Sequence, residues 1–171
     1  MINRCIPVLL AVLLLVACAS QPLPPPQWSY EKDAVRLNLK ADAKLNLDRG
    51  VPHTLVLCIY QLRDPNTFNR LSDNTEGIYK LLQGEAFDSS AVSAKRIIVH
   101  PGQSTTVLLD RAEGAKYVGV AAGYYNLEKN RMIRLYDIPV VVESKGTIKK
   151  TKTNKPAPLV VDVELGATEI K

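Results

Sequence analysis

Leu55-Val56-Leu57-Cys58-Ile59-Tyr60 is the stretch that most constrains the fold. It is continuously apolar, as a central strand covered on both faces is. Its surroundings also read as strands. Val35, Leu37, Leu39 and Ala41 alternate with Arg36, Asn38 and Lys40, which makes one buried and one wet face. Arg96 to Val99 runs into the turn signal Pro101-Gly102, and Thr105 to Leu109 follows. Tyr117 to Tyr125 is rich in valine, alanine and tyrosine, with Gly119 and Gly123 where neighbours can approach. Met132 to Val142 reads as one long or bent strand, with Pro139 at an edge or bulge. Thr147 to Thr153 and Leu159 to Leu165 complete a set of about eight, the pattern of a mainly β sandwich.

Two stretches depart from this pattern. Residues 64–93 carry helical spacing: Phe68 with Leu71, then Ile78 with Leu81 and Leu82. Thr75 is the expected cap of the second helix and Gly84 its expected end. A small helical insert covering an edge or face of the sandwich is predicted. The other departure is Asp42 to His53, which joins strands one and two. Hairpin loops usually take two to five residues; this one is far longer, with a sharp tip at Asp48-Arg49-Gly50. Two readings stand. Leu45, Leu47 and Val51 beside the tip are an exposed partner-binding surface, or strand one continues to Leu47 and the leucines face the core.

The amino end reads as a leader. Arg4 supplies a positive charge, Ile6 to Val16 an apolar run, and Leu15-Val16-Ala17-Cys18 closes it in the manner of a bacterial lipobox. At 1.5 Å per residue the run is too short for a hydrocarbon core roughly 30 Å thick. Residues 1–17 are therefore expected to be a removed signal peptide, and Cys18 the lipidated first residue of the mature chain. By resemblance to other bacterial lipoproteins, Ala19 after it directs the protein to the outer membrane. Residues 18–28 include Pro22, Pro24, Pro25 and Pro26, a semi-rigid stalk. Residues 29–171 are assigned to one sandwich domain.

The remaining chemistry is sparse. Without Cys5 and Cys18 only Cys58 is left, so no internal disulfide is expected, and its apolar setting marks a small buried hydrophobe. The net charge is +5, and Lys145, Lys149, Lys150, Lys152 and Lys155 cluster. They form either a surface for anionic lipid or cell-wall polymer or lysines guarding an edge strand. The only histidines are His53 and His100, and neither lies in a metal or nucleophile motif. No metal, no cofactor beyond the covalent lipid on Cys18, and no enzymatic activity are expected. Nucleic acid is not an expected partner.

The chain resembles the outer-membrane lipoprotein family of the type VI secretion system, TssJ (SciN). Val56 to Arg63 is similar to the family pattern V-V-R-[VI]-Y-Q-L, followed by the aromatic Phe68. Val99-His100-Pro101-Gly102, Tyr117 to Ala122 and Asn46 to Pro52 also match. Cys58, Gly123-Tyr124-Tyr125 and Leu135 depart from the family's usual residues. The resemblance implies a transthyretin-like sandwich with a helical addition and no catalysis. It also implies anchoring of the secretion membrane complex at the outer membrane, with the domain facing the periplasm. The family loop between the first two strands binds the periplasmic domain of TssM, and TssL completes the complex. By position that loop is Leu45, Asn46, Leu47, Asp48, Arg49, Gly50 and Val51. The alternative is a periplasmic binding or hydrolase-inhibitor lipoprotein, which a deep pocket lined by Tyr117, Tyr124 and Tyr125 would favour.

Overall fold

A computed structural model describes residues 23–146 and 151–171. The leader, the lipobox Leu15, Val16, Ala17 and Cys18, and Ala19 lie outside the described residues, as do Lys149 and Lys150.

The described residues form nine strands rather than about eight, in a β-sandwich with a helical insert. β1 (Glu31–Ala41) lies at the centre of one sheet, between β4 (Ser104–Arg111) and β9 (Leu159–Leu165). It runs antiparallel to β4 and parallel to β9. The second sheet has the order β3 (Ala91–Val99), β2 (Leu55–Leu62), β5 (Tyr117–Ala122), β6 (Ile133–Asp137), all antiparallel. The alternation predicted in β1 holds: Val35, Leu37, Leu39 and Ala41 are buried. They meet Val107 of β4 and Leu159, Val163 and Leu165 of β9 in one core with Leu55, Leu57, Ile59, Val118 and Val120 of the other sheet.

β2 is the central strand its run of apolar residues predicts, and the structure shows what covers its second face. α1 (Asn66–Ser72) and α2 (Thr75–Leu81) pack there. The Tyr60 hydroxyl donates to the Leu81 carbonyl, and the Cys58 thiol lies 3.5 Å from the Leu82 carbonyl. The Tyr60 ring meets Phe68 and Phe87 at centroid distances of 5.9 and 5.4 Å. Opposite Tyr60 in the ladder is Gly119, where a Cβ would come within 2.7 Å of the Phe68 ring. Glycine is needed there so that α1 can approach the sheet. The α2 cap is Asn74 rather than Thr75: Asn74 has extended backbone and its side chain accepts from the Gly77 amide at 2.8 Å.

Gln61 couples the two sheets. Its amide group donates to the Asp110 carbonyl at 2.8 Å and accepts from the Ala112 amide at 2.8 Å, at the end of β4. Tyr60 and Gln61 of the Val56–Arg63 pattern therefore act in packing. One fastens the helices to the outside of the sheet, the other fastens the sheets together.

The expected long strand at Met132 to Val142 is instead three pieces. Met132 ends a helical turn, α3 (Lys129–Met132), β6 follows, and β7 (Val140–Lys145) starts after Pro139 and leaves the sandwich. Proline has no N–H to continue a ladder. Among the described residues β7 pairs only with β8 (Thr151–Pro156), as a separate ribbon.

Candidate docking surface

β1 and β2 lie in different sheets, so the segment between them is a crossing and not an overlong hairpin. Sheets pack about 10 Å apart, which accounts for part of its length. The segment is anchored throughout. Asp42 accepts on its side chain from the Lys44 amide, and the Leu47 amide donates to the Ala167 carbonyl at 2.7 Å. The His53 amide donates to the Leu45 carbonyl at 3.0 Å.

The two readings of the loop divide at Asn46. Leu45 is fully buried in the core and Asn46 is 5% exposed. Both are therefore structural residues, and Leu45 is corrected from an exposed apolar anchor to a core side chain. Asn46 holds a left-handed backbone, with φ at +47°, which asparagine tolerates better than most residues. Its side chain donates to the Thr54 carbonyl and accepts from the Tyr125 amide, each at 3.0 Å. Leu47 and Asp48 are half-buried, while Arg49, Gly50 and Val51 are exposed. Asp48 and Val51 exchange backbone hydrogen bonds of 3.0 and 2.8 Å around Arg49 and Gly50, whose φ values are +47° and +82°. Two positive φ values in a two-residue loop make a type I′ turn. The tip is a short, defined hairpin on a rigid base.

Tertiary structure adds residues that the spacing in sequence did not reveal. Tyr125 is 60% exposed and His53 packs edge-on to it at 5.1 Å. Val51 is 55% exposed and Tyr79 of α2 is 59% exposed. Two shallow depressions flank Tyr125. One is lined by Asn46, Leu47, Asp48, Ala167 and Thr168, the other by Thr54, Val56, Tyr79, Leu82 and Leu127. Aromatic and arginine side chains at a rigid, partly apolar surface are what protein interfaces concentrate. A signal for Tyr125 existed in the Tyr124-Tyr125 pair, but only the fold brings it beside the loop. The deep tyrosine-lined pocket of the alternative reading is not formed. Tyr124 is buried with its hydroxyl on the Glu169 carbonyl, Tyr125 faces outward, and Tyr117 lies at the far end of β5.

The sequence matches the family model described as type VI secretion lipoprotein, VasD, EvfM, TssJ, over residues 33–153. The chain belongs to this family. No curated protein matches its sequence. Solved structures match its fold. The type VI lipoprotein TssJ1 from Pseudomonas aeruginosa is 21% identical with a TM-score of 0.60, over 86% of this chain and 95% of that one. Serratia marcescens Lip, a membrane-bound component of the type VI secretion system, is 20% identical with a TM-score of 0.60, over 84% and 96%. A chain described as the TssM C-terminal domain (869–1107) from EAEC is 20% identical with a TM-score of 0.57, over 80% and 94%. The chain is thus a type VI secretion lipoprotein by family, with the β-sandwich of its relatives.

Proposed function

We propose that the chain anchors a type VI secretion membrane complex to the outer membrane, with acyl chains on Cys18 as the hold and the loop end of the sandwich as the grip. The reading is non-catalytic and periplasm-facing. A single acyl chain binds a bilayer only marginally; the two or three that bacterial lipoproteins carry make the attachment effectively permanent. The grip is the type I′ tip from Leu47 to Val51 together with Tyr125, and its occupant is the periplasmic domain of TssM, in a complex that includes TssL. The observation that carries this is the Asn46 side chain, which fixes the exposed tip and Tyr125 to one another before any partner arrives. Such preorganisation lowers the ordering cost of binding. Likeness in fold to the structures described as the TssM C-terminal domain and as a type VI membrane complex supports the assignment.

The test is calorimetry with the TssM periplasmic domain. Val51→Asp with Tyr125→Ala is expected to keep the melting temperature and to lose about 2 kcal/mol or more of binding free energy, the scale of an interface hot spot. Unchanged affinity would move the interface away from this end of the molecule.

A further inference from the structure

The β7–β8 ribbon has no counterpart in the packing of the rest of the fold. Among the described residues its strands pair only with each other, from Val140 opposite Pro156 to Lys145 opposite Thr151. Val140, Val141 and Val142 are all exposed. An isolated two-stranded ribbon is marginal in water, and exposed apolar edge strands are usually blunted or covered. Lys145, Lys152 and Lys155 are exposed on the same ribbon. The one acidic residue among its described positions is Glu143, 3.5 Å from Lys145.

The tether reaches the domain at this ribbon. The Asn154 side chain donates to the Pro24 carbonyl at 3.0 Å. In the ladder, Asn154 stands opposite Val142, and Lys152 opposite Ser144. Side chains at paired positions share a face, so Val140, Val142 and Lys152 flank the place where the chain arrives. Pro24 is six residues after Cys18. Six residues span at most about 20 Å, so an acylated Cys18 keeps the ribbon within that distance of the bilayer.

We propose that the β7–β8 ribbon is a membrane-contact element that lies on the anionic phospholipid surface holding the Cys18 lipid. The face that carries Val140, Val142 and Lys152 lies on the bilayer, with the valines at the boundary between headgroups and acyl chains and Lys152 at the headgroup phosphates; Val141, Lys145 and Lys155 are on the other face. This rests on the lipidation reading above. A cationic residue at an anionic leaflet contributes roughly fivefold in partitioning. Lys152 supplies this at the contact, and Lys145 and Lys155 on the other face add attraction within a Debye length of about 8 Å. Together they orient a domain that is already tethered. Contact at the ribbon makes the bilayer, rather than the tether alone, set the direction in which the domain points.

The experiment is amide hydrogen exchange on the full lipidated protein, in detergent and in phosphatidylethanolamine vesicles with and without phosphatidylglycerol. Exchange at residues 140–145 and 151–156 is expected to slow about tenfold or more only where phosphatidylglycerol is present. Lys145→Glu, Lys152→Glu and Lys155→Glu together are expected to abolish the slowing without changing the melting temperature. Equal rates in all three conditions, or equal slowing in both vesicles, would overturn the proposal. Slowing in detergent as protein concentration rises would also overturn it, in favour of a second copy on the ribbon. Intact-mass analysis of Cys18 tests the anchor separately. If Cys18 is bare the anchoring reading fails. Co-sedimentation of the chain with phosphatidylglycerol vesicles then decides the ribbon by itself: binding lost in the triple variant sustains it, and no binding overturns it.

Discussion

Burial pushes the Cys58 thiol up from 9.0 to about 11, and the nearby Arg96 only partly offsets this. A thiol under the helical insert loses the water that would solvate a thiolate. The unfolded chain releases this proton near pH 9, while the folded chain retains it to about 11. The stability it contributes is complete below pH 9 and is lost as pH rises toward 11. Burial also raises Tyr60 and Tyr124, but from an ordinary value of 10.0. Between 9 and 10 the cysteine therefore gives the largest single contribution, and the tyrosines only begin to add to it. Denaturant unfolding across that interval is expected to show falling stability in the wild type and a flatter profile in Cys58→Ala. A wild-type profile as flat as the variant's would mean that the thiol ionises as readily in the folded protein. The reading of Cys58 as a small hydrophobe was available from its apolar neighbours alone. The carbonyl it faces was not, because Leu82 is 24 residues away in the chain.

At the scale of elements, the loop between β1 and β2 depends on one asparagine. Asn46→Gly keeps the left-handed backbone accessible but removes both side-chain hydrogen bonds, leaving the Thr54 carbonyl and Tyr125 amide without their partner. Leaving such groups unpaired costs about 1–3 kcal/mol. Denaturation should register that loss, and the Tyr125 amide should exchange faster than in the wild type. Unaltered stability and exchange would mean that the tip and Tyr125 are not held together through Asn46. β1 and β2 were legible because alternation and unbroken apolarity directly record how many faces are covered. The division at Asn46 was not, since Leu45 and Leu47 look alike in sequence and only Leu45 reaches the core. The break at Pro139 was signalled by proline, but the departure of β7 from the sheet depends on partners elsewhere in the chain.

Across the whole molecule, Arg111 ties the segment that precedes β1 to the sandwich. It is 1% exposed, bonds the Ser29 carbonyl through two nitrogens at 3.3 and 3.1 Å, and pairs with Glu31 at 2.9 Å. The Gly114 amide donates to the Trp28 carbonyl nearby. The end of the expected stalk thus lies on the domain, first against the β7–β8 ribbon at Pro24 and again beside the end of β4 at Trp28. Arg111→Met leaves the Glu31 carboxylate without its partner. Removing one member of a buried pair costs about 3–5 kcal/mol, and the partial exposure of Glu31 puts this case at about 3 kcal/mol or somewhat less. Denaturation should show the loss, and limited proteolysis should cut residues 23–30 sooner. Resistance equal to the wild type would place the attachment elsewhere.

What the amino-acid order determined by itself was local: most of the strands, which one is central, and where two helices interrupt them. Those follow from hydrophobic periodicity and turn chemistry, which act over a few residues. Tertiary structure decided which surfaces meet. It put β1 and β2 in different sheets, placed Asn46 against Tyr125, set Arg111 under Ser29 and brought Pro24 to the β7–β8 ribbon. Each of these joins residues far apart in the chain, and burial and hydrogen bonding select such pairs only once the sheets have closed on one another.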